Sequence, residues 1–408
     1  MTNVPKIRFK GFTDAWEKQK LEEVISKKIS NGIMNRPGRN KLNVKHINVV
    51  NLYSPSQIQP NELAYFDASN KDVEKCSIEI GDIFLTRSSL KLEGIAHANI
   101  LLDDGVYVFD DHIMRLKLTS EFEPFFIKEA LNHSQTKKEF MTKAKTGTMT
   151  TIGQDDITSS EITFPIKDEQ NQIAKFFRTF DNTIAIYKRK LTGLRELKNA
   201  YLQLMFPQAG ETVPKIRFTG FTEPWKQRKL SDMSDYKNGR GHEDRQSKSG
   251  KYELVNLNSI SIDGGLKPSG KFVDDADETL LANDLVMVLS DVGHGDLLGR
   301  VAIIPSNNRF VLNQRVALLR PNQTVNPYFL FVLINAHQQY FKSQGAGMSQ
   351  LNISKGAVEN FQSYAPSMLE QIKIANIFKE LDQQIANHTQ KLRQLEQLKI
   401  AYLQKMFI

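Results

Sequence analysis

Apolar residues recur in steps of three and four through two stretches of this chain, Asp168 to Phe206 and Leu369 to Ile408, and each stretch reads as one long helix. In the first they fall at Ile173, Phe177, Phe180, Ile184, Tyr187, Leu191, Leu194 and Tyr201. In the second, at a constant offset of 201, they fall at Ile374, Phe378, Leu381, Ile385, Leu392, Leu395 and Tyr402. So narrow a stripe is a coiled-coil seam rather than a broad core-facing surface, and the natural partner of each helix is the other. Lys198 and Lys399 interrupt the seam at equivalent positions, which specifies register at some cost in stability, and His388 stands where the first copy has Tyr187.

The helices are one part of a longer duplication. "VPKIRFKGFTDAWEKQKL" from Val4 returns as "VPKIRFTGFTEPWKQRKL" from Val213, with the two tryptophans, Trp16 and Trp225, in the same slot. Between opening motif and helix lie two bodies, near Glu22 to Pro165 and Ser231 to Pro366, whose short runs "IFLT", "VYVF", "LVMVLS" and "RVAIIP" are broken by Gly, Asn, Asp and Pro. Those runs read as strands and turns. Helical patterns near Pro124 to Ala144 and Pro327 to Lys342 each open on Pro, which suits a first turn. The expected architecture is α+β: two strand-rich bodies separated by two long helices in an antiparallel coiled coil, related by a pseudo-twofold axis. The expected boundaries are 1–165 and 208–366 for the bodies with their opening motifs, and 166–207 and 367–408 for the helices.

Composition adds limits. A chain of 408 residues exceeds one ordinary core, and 40% apolar with 25% charged residues is globular. The single cysteine, Cys76, leaves no disulfide within the chain and reads as structural. Neither a membrane span nor a signal-peptide core is evident, so a cytoplasmic location is expected. The net charge of +8 suits a polyanion partner.

Catalytic motifs fail on inspection. "GLKPSGKF" from Gly265 has Phe272 where a P-loop needs Ser or Thr, and "NPYF" from Asn326 lacks the second proline of an adenine-holding loop; both read better as a turn and a helix start. Asp155-Asp156 and Glu196-x-Lys198 are weak nuclease fragments, the latter on a seam helix. No catalytic residue and no metal ligand is assigned. Binding chemistry remains. The first body offers Arg36, Arg39, Lys41 and Lys45 after an Asn-Gly turn, then Arg87, Ser88, Ser89 and Lys91, then Lys143, Lys145, Thr146 and Thr148. The second offers Arg240, His242, Arg245, Lys248 and Lys251, then Ser290 and His294, then Gln344, Ser349 and Gln350. Lys and Arg neutralise phosphates, while Arg, Asn and Gln read purine edges through paired hydrogen bonds. These clusters recur at corresponding places with different sequences, as one scaffold reading two different targets would require.

The duplicated "PKIRF-GF---W" opening, the two divergent bodies and the two "E-Q--IA--F--(F/L)D" helices ending in "YLQ-MF" resemble the specificity subunit of type I restriction-modification enzymes over essentially the whole chain. The resemblance implies a non-catalytic protein that binds a bipartite, asymmetric target in double-stranded DNA, with each body a target-recognition domain and the helices a spacer. It implies two modification subunits that methylate adenine with S-adenosylmethionine, docked around the helices and opening motifs, and restriction subunits that use ATP and magnesium. Those cofactors would lie on partner chains. The competing readings are a self-contained methyltransferase or nuclease, and a scaffold whose bodies bind protein.

Overall fold

The structure, a computed structural model, describes residues 4–34, 44–208, 210–292, 295–348 and 350–408. The chain forms two compact units, Met1–Arg189 with Thr389–Ile408, and Lys190–His388. Each therefore takes one portion of each long helix.

Both units contain the same sheets. In the first, an antiparallel sheet runs in the order Ser30–Asn31, Ile113–Leu116, Ile83–Thr86, Ala98–Ile100. A second sheet runs Ala64–Phe66, Val44–Ile47, Tyr107–Phe109, the first pairing antiparallel and the last parallel. The second unit repeats both, as Ser234–Asn238, Val316–Pro321, Leu285–Val288, Val301–Ile303 and as Phe272–Val273, Tyr252–Val255, Phe310–Leu312, with the same senses of pairing.

The strand "IFLT" is buried along its whole length and opens on three successive apolar residues, because both of its faces are covered. Side chains alternate along it, so Ile83 and Leu85 join one core, with Trp16, Phe126 and Phe177, while Phe84 joins another, with Ile47 and Phe109. "LVMV" is divided likewise: Leu285 and Met287 face the Trp225 core, and Val286 and Val288 the opposite one. Each such side chain contributes about 1.5–3 kcal/mol by leaving water.

The helical pattern expected from Pro124 is broken in two, Pro124–Asn132 and Ser134–Lys143, because His133 takes an extended ψ of 148°. In the second unit the break comes at His337, between Pro327–Ala336 and Gln338–Ser343, and its Nδ1 lies 2.7 Å from the Leu333 carbonyl. A histidine at each break satisfies a terminal carbonyl of the preceding helix, through its backbone N–H to Ala130 or to Ile334.

The central helix spans Lys167–Leu204 and the terminal helix Met368–Met406. The expected seam is inside: Ile173, Phe177, Ile184, Leu191, Ile374, Phe378 and Leu381 are buried, and Phe180, Tyr187, Leu194, Ile385, Leu392 and Leu395 half-buried. In the first unit Phe176 and Phe180 of the central helix meet Tyr402 near the end of the terminal one, with ring centroids 5.1 and 5.8 Å apart. In the second, Phe206, just past the end of the central helix, meets Phe378 early in the terminal one at 6.0 Å. The start of each helix lies by the end of the other, so the pairing is antiparallel.

The opening motifs fasten this arrangement. Arg8 makes two hydrogen bonds, 2.8 and 2.7 Å, to Glu169 in the first turn of the central helix, and the Glu169 side chain is wholly buried. Arg217 grips Glu370 in the same way at 2.9 and 2.8 Å. One residue earlier, the Ile7 amide donates to Lys405 O and the Ile216 amide to Leu204 O, each capping the end of the other long helix. Trp16 and Trp225 are 2% and 3% exposed and pack edge-on against Phe407 and Phe206, the last residues of the two "YLQ-MF" words. They are therefore core residues of the helix junctions, with no face left for a partner chain.

Candidate nucleic-acid interface

Arg87 ends the buried strand Ile83–Thr86, and there the chain leaves the sheet. Its amide donates to His112 O at 2.7 Å, its carbonyl accepts from the Ile152 amide, and its Nη1 donates to Asp111 O at 3.3 Å. Ser88–Ser89 then pairs antiparallel with Thr150–Thr151. Lys145 and Thr151 exchange both backbone hydrogen bonds, at 2.8 and 2.9 Å, which closes the loop carrying exposed Thr146 and Thr148. Two separate predicted stretches, "TRSSLK" and "TKAKTGTMTT", thus become one ribbon. Lys91 is exposed beside it, its amide held by Ser89 Oγ at 3.2 Å.

The second unit builds the same ribbon from Ser290–Val292 and Gln350–Asn352. Ala346 and Asn352 exchange backbone bonds as Lys145 and Thr151 do, and the Ile353 amide donates to Leu289 O as Ile152 donates to Arg87 O. Ser290 is buried and its hydroxyl donates to the Asn352 side chain, which also accepts from Gln350 Nε2 at 3.4 Å. Gln344 is exposed at the end of the preceding helix.

Other candidates lie elsewhere. Arg240, His242 and Arg245 line a cavity of the second unit with Lys237 and Glu278, which are paired, over a floor of Val311, Leu312 and Leu318. His242 is buried there, 3.4 Å from Asn313 Oδ1. Lys248 and Lys251 are exposed, and the Lys251 ammonium sits over the Tyr252 ring at 4.9 Å. Lys45 is half-buried on the strand Val44–Ile47, between Tyr65 and Tyr107. Lys143 is engaged within the fold: its ammonium donates to Ser160 Oγ at 2.8 Å and to Ser159 Oγ at 3.2 Å, and pairs with Glu139 at 2.9 Å. Arg36, Arg39, Lys41, His294 and Ser349 lie outside the described residues.

The structure adds residues that charge-based reading passed over. Val50, Tyr53, Leu90, His112 and Met149 line one concavity with Ser88, Ser89 and Lys91. Tyr53 stacks on His97 at 4.5 Å, and burial, aided by Lys137 and Lys128, holds the His97 imidazole down at about 4. Asp110, Asp111 and His112 bring three metal-ligating side chains together, but Asp110 Oδ1 accepts from the His112 amide at 2.8 Å, as in a local turn. The rejected strings are also accounted for. The Asn326 side chain accepts from the Tyr328 and Phe329 amides, both at 3.0 Å, as a helix cap, and "GLKPSGKF" is a turn with Gly270 at φ 65°.

A family model described as the type I restriction modification DNA specificity domain matches residues 13–196 and 222–397, and the chain belongs to that family. Two relatives come from Methanocaldococcus jannaschii. One, named as the type I restriction enzyme MjaX specificity subunit, is 24% identical, the alignment covering 97% of this chain and 94% of the relative. The other, the MjaVIII specificity subunit, is 21% identical over 78% and 73%. The crystal structure of a type I restriction-modification S subunit from M. genitalium has a TM-score of 0.67 at 16% identity, over 99% of each chain. A chain from a structure describing complex assembly and conformational transition of a type I restriction-modification system has a TM-score of 0.52 at 14% identity, over 96% and 97%. Those two likenesses speak to the fold. Membership makes this chain a DNA-specificity subunit rather than one of the catalytic subunits of such a system. Among the described residues no helix is long and apolar enough to cross a membrane.

Proposed function

We propose that each unit reads one half of a two-part, asymmetric DNA target through its ribbon, and that the paired long helices space the two readings. The observation that carries this is the ribbon itself, built twice on one backbone plan from different side chains: Arg87-Ser88-Ser89-Leu90-Lys91 in one unit, Leu289-Ser290-Asp291-Val292 in the other. Equal geometry with unequal chemistry is what two different half-sites demand. Lys145, Thr146 and Thr148 would position the first ribbon on phosphates, and Gln344 and Gln350 the second.

Docking of two modification subunits and of restriction subunits fits the surface of the opening motifs. Val4 and Ile7 in one copy and Val213 and Ile216 in the other stay 37–44% exposed although the surrounding words are almost identical. Repeated exposed apolar positions suit a partner bound twice. S-adenosylmethionine, ATP and magnesium then belong to those partners, and this chain's task is to place a target adenine before a modification site, where extraction from the stack costs a few kcal/mol. Replacing Ser231 to Pro366 with the corresponding body of another family member tests the modular reading. Sequencing of methylated DNA from cells carrying the hybrid should show one half-site changed and the other kept; a change in both halves would contradict it.

A further inference from the structure

We propose that Leu90, and Val292 at the same place in the second unit, are apolar wedges that enter the DNA stack between neighbouring bases when each ribbon seats on the duplex. This rests on the recognition reading above and deepens it by naming side chains that deform the target rather than read it.

Leu90 is 84% exposed, one residue beyond the paired strand Ser88–Ser89. The residues on either side of it are tied down. Ser89 Oγ holds the Lys91 amide at 3.2 Å, the Gly94 amide donates to Lys91 O at 3.1 Å, and Tyr53 Oη donates to Gly94 O at 3.3 Å. A tied turn that presents a leucine to water leaves its apolar surface uncompensated, which makes sense when a partner covers it. Val50, 77% exposed, and Met149 line the same concavity.

The second unit repeats the placement. The register pairs Ser88 with Thr151 and Ser290 with Asn352, so the residues two positions on, Leu90 and Val292, correspond. Val292 is 68% exposed, and Met348, on the facing turn, is fully so. The ribbons differ in almost every side chain, yet the exposed aliphatic residue recurs.

Around Leu90 the chemistry matches a duplex better than a protein face. Exposed Lys91 and His112 share its concavity, whose two carboxylates are exposed Glu93 and buried Asp110, and the ribbon that carries it also holds exposed Lys145, Thr146 and Thr148 on the opposite strand's loop. Proteins that bend DNA insert aliphatic side chains at a base step and recover the unstacking cost in the contacts the bend permits. A wedge also serves the partner that must extract a base, because a step already opened yields its neighbour at lower cost.

The test uses the chain assembled with its modification subunits. A duplex pool with a randomised window is selected on the parent complex, and the recovered sequence is resynthesised with 2-aminopurine at each adenine in turn. Parent complex should brighten the probe at one step in each half-site. Leu90→Ala should abolish the signal in one half only, and Val292→Ala in the other only, whereas Leu90→Met should keep it. Leu90→Ala should weaken binding roughly tenfold, with the salt slope unchanged, and a mismatch at the affected step should restore most of that loss. Parental affinity and brightening in Leu90→Ala would overturn the wedge alone. So would loss of a modification subunit from the Leu90→Ala complex, which would make Leu90 a protein-docking residue. A parent complex that recovers no sequence from the pool would overturn the recognition reading and the wedge with it.

Discussion

Lys399 reaches across the helix seam to Asp181 at 2.6 Å, and Lys198 makes the same contact with Asp382, also at 2.6 Å. The interruptions in the apolar stripe are therefore cross-helix ion pairs, and a slip of one turn would break both together. Their surroundings differ. The Asp181 side chain is 4% exposed and Lys399 also stands 3.8 Å from buried Glu129, whereas Lys198 and Asp382 are 21% and 26% exposed. Removing one partner of a buried pair costs about 3–5 kcal/mol and of an exposed pair about 0.2–1 kcal/mol. Lys399→Met should accordingly destabilise the chain by a few kcal/mol and Lys198→Met, whose pair is half-buried, by less. Adding Asp181→Leu should recover part of the Lys399→Met loss. Urea denaturation of the parent and these three variants measures this, and equal losses for the two lysines would refute the assignment.

The Arg87 guanidinium donates to Asp111 O at the base of the ribbon, while Arg240 is exposed on a cavity rim. A guanidinium held against the fold suits a base edge and an exposed one suits a phosphate. Arg87→Ala should cost about 1–3 kcal/mol of binding and relax one position of the target; Arg240→Ala should weaken all sequences alike and lower the salt slope by about one. Binding isotherms at several salt concentrations distinguish these, and unchanged affinity in both variants would move the DNA face elsewhere.

The ion pairs also define a clean way to shorten the helices. Deleting Ile184 to Lys190 and Ile385 to Lys391 removes one heptad between Asp181 and Lys198 and one between Asp382 and Lys399, so both pairs and the seam's phase survive. Each helix loses roughly 10 Å, or about three base pairs of duplex. If the helices set the gap between half-sites, the double deletion prefers a shorter gap or binds the original one poorly. Methylation of substrates with graded gaps reads this out; parental efficiency at the original gap, with no preference for a shorter one, rules out the spacer role.

His97 ties stability to pH. Its folded value of about 4 lies below the ordinary 6.5, so between those values the unfolded chain binds a proton that the folded chain refuses. The contribution is complete above pH 6.5 and is lost as pH falls toward 4, reaching at most roughly 3 kcal/mol. Melting temperature should thus fall between pH 6.5 and 5, and His97→Gln should flatten that fall. Parallel profiles for parent and variant would show that other groups govern it.

The periodic features could be read without coordinates because they are local. Steps of three and four mark a helix seam wherever they occur, and literal repetition marks equivalent structure. The ribbons were only half legible. "TRSSLK" and "TKAKTGTMTT" were each visible as polar, basic stretches, but Ser88 pairs with Thr151 across most of the first body, and no periodicity reports such a contact. Leu90, Val50 and Tyr53 carried no charge to mark them, and Lys143, which did, turned out to donate to Ser159 and Ser160 within the fold.

By itself, then, the sequence determined the duplication, the paired helices, the alternation of body and helix, and the family, since each is written in spacing or in repeated words. Tertiary structure alone decided which charges meet: Arg8 with Glu169, Lys399 with Asp181, and the joining of two distant loops into one ribbon. The physical reason is range. Helix periodicity follows from contacts three or four residues apart, whereas an ion pair or a ribbon register depends on where the whole chain brings two residues that share no local pattern.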